Sequence, residues 1–184
     1  MFAKIGLIVF YPNDIFKILE FDRLITIAET YCKGEVGKKL LQNVRFHTEP
    51  EVIDLLLTET LEFKLSMNAG ESFPTGNYTD ITSFLKYLKI TDYFLEVEHI
   101  NELRNVLEIM KNLDRFASST GNSKNHPVLS EKILTQSYIP TYLQQINQVL
   151  DEQGKVKNNA SEDLVKIRRA IASKKSELER AFDQ

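Results

Sequence analysis

Cysteine occurs once in this chain, at Cys32, and tryptophan not at all. A lone thiol closes no intrachain disulfide and cannot build a zinc cluster, which points to a reducing compartment, the cytoplasm. Cys32 lies in an apolar-periodic stretch and reads as a small buried hydrophobe. Breakers are also scarce: 7 glycines and 5 prolines are spread over 184 residues, and the long stretches between them favour helix. No apolar run is long enough to cross a bilayer. The N-terminal one, Ile5 to Tyr11, is far too short, and no small-residue cleavage signature follows it. Positive charge is not in excess. A formal net charge of −3 argues against a broadly basic nucleic-acid surface while leaving room for a local one. The three histidines, His47, His99 and His126, are far apart and lack metal-ligand spacing.

What is present is an ordinary balance for a globular chain: 42% apolar and 27% charged residues, enough for one domain or two small ones with a hydrophobic core. Residues 5–11 read as a short strand or an anchored extended arm, stopped by Pro12-Asn13. Asn13 is placed to cap a short helix from Asp14 to Leu19, and Asp22 a second one running to Cys32. Glu35–Gln42 follows as a short helix. Thr48-Glu49-Pro50-Glu51 reads as a capping box, with Thr48 and Glu51 exchanging bonds and proline in the first turn. The helix it starts runs to about Met67. It carries apolar residues around much of its circumference (Val52, Ile53, Leu55, Leu56, Leu57, Leu61, Phe63), which predicts a central position.

A loop with Gly70, Pro74 and Gly76 follows, with Phe73 and Tyr78 placed to tack it to the body. Asp80 can cap a helix over Ile81–Leu88, and Ile90–Leu95 reads as an extended link. A long helix is predicted over Glu96–Phe116, with Ile100, Leu103, Leu107 and Met110 on one stripe and Val106, Ile109 and Leu113 on a second. The polar residues 117–127 read as the best internal break. Within 128–150 another helix is expected to start near Pro140, with Ile139, Tyr142, Leu143, Ile146 and Val149 facing inward.

Motifs for catalysis are missing. Gly34-Glu35-Val36-Gly37-Lys38 has two residues between its glycines where a phosphate loop needs four, and Lys39 stands where the hydroxyl should be. Glu96, Glu98 and Glu102 have no histidine in a di-iron pattern. The sequons at Asn77 and Asn159 read as incidental in a chain with no secretory signal. The sequence implies no catalytic, cofactor-binding or metal-binding residues.

Residues 151–184 are the most distinctive. Asp151-Glu152-Gln153-Gly154 is a turn in which Gly154 can take positive φ. Lys155-Val156-Lys157 reads as a short extended segment, and Asn159 or Ser161 can cap a final helix whose first turn carries Glu162 and Asp163. Leu164, Ile171 and Leu178 recur every seven residues, widened by Ile167 and Phe182, as a seam that wants a partner. Arg168, Arg169, Lys174 and Lys175, joined by Lys166 and Arg180, are the candidate contacts to a nucleic-acid backbone. They are interleaved with Glu162, Asp163, Glu177, Glu179 and Asp183, so a mixed solvated face is the plainer reading. Gly154, Asn159 and Ser161 read as a rigid junction, and the helix beyond them as an arm that continues in a longer parent.

Four stretches resemble the N-terminal region of the MutS2 branch of the DNA mismatch repair MutS family. They are Phe21-Asp22 with Tyr31-Cys32 and Gly37; Phe73-Pro74 with Asp80-Ile81; the long helix at 96–116; and, most specific, Asp151 to Ser161 followed by Leu164 and Ile167-Arg168-Arg169. Glu20 stands where that family commonly has glycine, and Ile5–Phe10 is atypical of it. The resemblance implies a mostly α, multi-helix core with a long C-terminal lever helix and at most a very small β element. It divides the chain into an N-terminal extension or short strand (1–12), a helical core (13–150) and a Gly turn with the start of the lever (151–184). It further implies a non-catalytic role for this stretch, coupling an ATPase to a DNA clamp in repair or recombination control. The parent would use ATP and Mg, dimerise through other domains, in many members carry a nuclease domain, and engage double-stranded or branched DNA, in some members the ribosome, and no membrane. The mismatch-reading wedge of classical MutS is absent. The alternative is a stand-alone helical scaffold or protein-interaction module that binds no nucleic acid; an uncharacterised helical enzyme is a more distant reading.

Overall fold

The computed structural model describes Pro12, residues 14–68 and residues 73–182; the readings of Ile5–Tyr11, Asn13, Gly70 and Asp183 lie outside the described residues. The described chain is helical: α1 (Ile15–Ile18), α2 (Phe21–Glu29), α3 (Glu35–Gln42), α4 (Pro50–Asn68), α5 (Thr82–Leu85) with a 3-10 turn (Lys86–Lys89), α6 (Val97–Ser118), α7 (Thr120–Asn125), α8 (Pro127–Leu134), α9 (Pro140–Val149) and α10 (Glu162–Phe182). Among these residues the β content is one antiparallel bridge, Leu150 to Val156. The mostly α class, the long C-terminal helix and the very small β element all follow the sequence reading. The chain forms two compact units, Met1–His47 and Thr48–Gln184.

In the first unit, α1, α2 and α3 gather around three aromatic rings. Phe16 lies 5.0 Å from Phe46 and 5.8 Å from Phe21, centroid to centroid. Cys32 is half-buried and lies against Gly37, where a Cβ would meet its Sγ at 3.5 Å, an ordinary van der Waals contact. The Glu35 carboxylate accepts from Lys38 Nζ at 2.6 Å and raises the pKa of that ammonium above its ordinary value. Asp22 does not cap α2, as the sequence suggested. It falls in the first turn, while Glu20 occupies the cap with φ 51° and its carbonyl accepts from Arg23 N and Leu24 N. A left-handed backbone costs an L-residue about 1–2 kcal/mol, and Glu20 is the residue noted above as standing where glycine is common. The helix also stops at Glu29 rather than Cys32, its end closed by turns.

The second unit is built on α6, which packs against α8 and α9, while α4 packs against α8. Its apolar core is Phe84, Leu107, Phe116, Ala117, Leu143 and Leu150. Phe73 joins the loop to the body edge-on, 4.9 Å from Phe63 and 5.0 Å from Phe116. Asn105 holds the loop further by donating to Asn77 O at 2.8 Å. Asp80 accepts from Thr82 N at 3.1 Å at the head of α5, and Phe84 stacks 4.6 Å from His99 of α6.

Four expectations for this unit are corrected. The capping box is not formed: Glu49 is the last residue before α4, so Thr48 lies a step too far upstream. Glu49 takes both Thr48 N and Thr48 Oγ1 at 3.3 Å. The helix α4 is not buried all round. Its buried side chains are Glu62 and Ser66, and Ile53, Leu56, Leu57 and Leu61 are exposed. The break expected over residues 117–127 is confined to Ser119 and His126. The segment holds the end of α6, Ser119, α7, His126 and Pro127 at the start of α8. Ala117 and His126 are buried at the two ends of the segment, and the Asn122 amide donates to Phe116 O at 3.1 Å, sharing that carbonyl with Ser119 N at 3.3 Å. In α9, Leu143 is buried and Ile146 half-buried, while Ile139, Tyr142 and Val149 are exposed. A narrow stripe through Leu143, Ile146 and Leu150 suffices because α9 packs against α6 along one side only. Pro140 does start α9, as expected.

Glu62 explains how α4 and α8 stay together. Its buried carboxylate accepts from Leu129 N at 2.8 Å and Val128 N at 3.3 Å, the first free N–H groups of α8 after Pro127, where the helix dipole favours an anion. Glu59 adds an ion pair to Lys132. Glu62→Ala leaves two donors without a partner and is expected to lower the unfolding free energy by about 2–3 kcal/mol in urea denaturation, with Glu62→Gln costing less. Glu20→Gly is expected to stabilise the first unit by about 0.5–1 kcal/mol, read as a higher thermal midpoint.

Candidate functional site at the root of the last helix

Between α9 and α10 the chain doubles back on itself. The Asp151 carboxylate accepts from Gln153 N and Lys155 N, both at 2.9 Å, and Gly154 N donates to Asp151 O at 3.1 Å. Asp151 N donates to Lys155 O at 2.8 Å and Lys157 N to Val149 O at 2.9 Å, which closes a small hairpin around the Leu150–Val156 bridge. Gly154 has φ 78°, the left-handed conformation its sequence position predicts. Leu150, 1% exposed, anchors the hairpin in the core.

The hairpin is held from both sides. On the α6 side, Asn101 Nδ2 donates to Gly154 O at 2.8 Å and to Val97 O at 3.0 Å, and Arg104 Nη1 donates to Asp151 O at 2.7 Å. On the α10 side, Arg168 Nη1 reaches back to Asn158 Oδ1 and to Val156 O. Of the two candidate caps, Ser161 is the one used: its Oγ accepts from Leu164 N at 3.2 Å. Lys157 Nζ adds a bond to Asn147 O at 2.6 Å near the end of α9.

The basic residues of α10 differ in what they already hold. Arg168 is half-buried in the junction. Lys174 pairs with Glu177 at 2.7 Å and Lys175 with Glu179 at 4.0 Å, both exposed pairs of little energetic weight. Arg169 has no ion pair or hydrogen bond among the described residues and borders an open depression of about 550 Å³ with Asn158 and Asn159. The seam residues Ile167, Ile171 and Leu178 are exposed, and Phe182 is 85% exposed. An apolar hollow of about 540 Å³ lies elsewhere, between α6 and α8, lined by Phe73, Met110, Leu113, Ile133 and Tyr138. No cluster of three metal-ligating side chains occurs among the described residues. No helix among them is long and apolar enough to cross a membrane.

Asn101 and Arg104 were not singled out by the sequence. Their only signal is that they are polar and stand beside the apolar stripe of α6, a place shared by many solvated residues. Gly154→Ala would place a Cβ 2.5 Å from Asn101 Oδ1 on a backbone that disfavours L side chains. The expected cost is about 2–3 kcal/mol in urea denaturation.

No protein-family model matches this chain, and no solved structure does. Among curated proteins, the chain is similar to the endonuclease MutS2 of Aquifex aeolicus, 28% identical over 173 residues that cover 93% of this chain and 22% of that protein. It is 25% identical over 174 residues to the endonuclease MutS2 of Lactococcus lactis subsp. lactis, covering 94% and 22%, and 23% identical over 158 residues to that of Alkaliphilus oremlandii, covering 86% and 20%. The chain thus spans about a fifth of the length of the curated relatives it matches.

Proposed function

We propose that this chain is the non-catalytic helical core and lever root of a MutS2-like, DNA-associated ATPase, with residues 13–150 as the body and 151–184 as the junction and the start of the lever. The carrying observation is a long amphipathic helix whose apolar seam is exposed and whose base is fastened by hydrogen bonds on both sides. The distant similarity to MutS2 over most of the chain supports the same reading. In it, the junction passes a rotation of the body to the arm, and with it the nucleotide state of an ATPase to a DNA clamp that acts in repair or recombination.

ATP and Mg belong elsewhere in such a parent. The residues here do not fit a nucleotide: Gly37 and Lys38 lie inside α3, and Gly37 packs on Cys32 instead of offering its N–H to a phosphate. Dimerisation, any contact with the ribosome and a cytoplasmic location are parts of the same proposal. Arg169 is the best placed of the four basic residues for a DNA phosphate because it gives up no internal partner; Arg168, Lys174 and Lys175 would first exchange theirs.

A second reading, a stand-alone helical scaffold or protein-interaction module, draws on α4, where Ile53, Leu57 and Leu61 form an exposed row. Two measurements separate the readings. The gene encoding this chain is expected to encode a Walker A motif downstream; its absence sinks the first reading. Titration of branched and linear duplex DNA is expected to show weak binding at low salt, with a log–log salt slope of about −0.9 per phosphate contacted. Arg169→Glu should flatten that slope by about one contact. No binding even at low salt removes direct DNA contact from this chain.

A further inference from the structure

We infer that Asn101 and Arg104 are positioning residues that set the direction in which α10 leaves the body. They lie three apart on α6, so they project from the same face one turn apart. They grip two carbonyls of the hairpin, Gly154 O at 2.8 Å and Asp151 O at 2.7 Å. Two bonds on separate atoms resist rotation as well as translation, which one bond cannot.

The Asn101 amide is itself held in one orientation. Its Nδ2 also donates to Val97 O in the preceding turn, and a flip would turn Oδ1 towards both carbonyls. The buried Oδ1 has no partner among the described residues, so the amide is kept for what its nitrogen does. Gly154 lies flat against it, with space for no Cβ. From the hairpin the restraint passes to α10 through Arg168, bound to Val156 O and Asn158 Oδ1, and through the Ser161 cap. A hydrogen bond therefore spans every step from α6 to α10. Meanwhile the apolar anchors Leu107, Leu143 and Leu150 hold the body without the two polar residues. Removing Asn101 and Arg104 should therefore loosen the arm before it unfolds the core.

The purpose assigned to this rigidity rests on the lever reading, but the rigidity itself is measurable in this chain without DNA or nucleotide. Nitroxide labels are placed at Asn112→Cys on α6 and Glu179→Cys on α10, in a Cys32→Ser background, and their separation is read by pulsed electron dipolar spectroscopy. The unaltered junction should give one narrow distance distribution. Asn101→Leu with Arg104→Met should widen it by roughly twofold, the scatter expected when two hydrogen bonds no longer restrain a hinge. A second label pair within α10, at Asp163→Cys and Glu179→Cys, should not change. Arg104→Lys, which keeps a donor, should recover part of the narrowing relative to Arg104→Met. If the double variant fails to fold, Arg104→Met alone is read in the same way. A distribution already broad before substitution, or one equally narrow after it, overturns the assignment. DNA binding has no part in this assay, so failure of the lever reading in the titration and failure of the clamp here are separate results.

Discussion

The grip of α6 on the Asp151–Gly154 turn is the contact on which the geometry of the last helix depends. A side-chain amide takes the Gly154 carbonyl, and a guanidinium takes the Asp151 carbonyl beside the turn's own bond from Gly154 N. Hydrogen bonds of this kind contribute modestly to net stability, about 1 kcal/mol each. Their value here is directional. The turn is pinned to the longest helix of the body, and α10 inherits its direction from that helix.

A second polar contact does the same for the body. Glu62 reaches from α4 to the N-terminus of α8, where Pro127 leaves the following N–H groups exposed to a partner. With both oxygens engaged and opposite a helix dipole, the carboxylate can stay buried. Each of these contacts joins a side chain of one helix to the backbone at the end of another element. Among the described residues, apolar surface is left exposed on α4 and α10.

Local chemistry made several elements legible in the sequence. The helix at Glu35–Gln42, the start of α9 at Pro140, the positive φ of Gly154 and a serine cap before α10 were readable because each depends on residues within a few positions of it. The errors have a common cause. The polar segment 117–127 looked like a break, but most of it is helical, with Ala117 and His126 buried at its ends, despite weak helix propensity. The leucines of α4 looked like core, but Leu55, Leu56, Leu57 and Leu61 are exposed among the described residues. In the candidate site, the turn and its cap were visible; Arg168 was picked for its charge, although Nη1 is engaged inside the junction.

The sequence by itself determined the helical class, the near absence of β structure, the turn at Asp151–Gly154 and the seven-residue seam of α10, because period, breakers and caps act over short range. Which residues clasp that turn was decided only by the tertiary structure. Asn101 and Gly154 are 53 positions apart, and Glu62 and Leu129 are 67 apart. A polar residue on a helix announces that it can make a hydrogen bond, but the carbonyl or N–H that receives it is known only once packing has brought the two elements together.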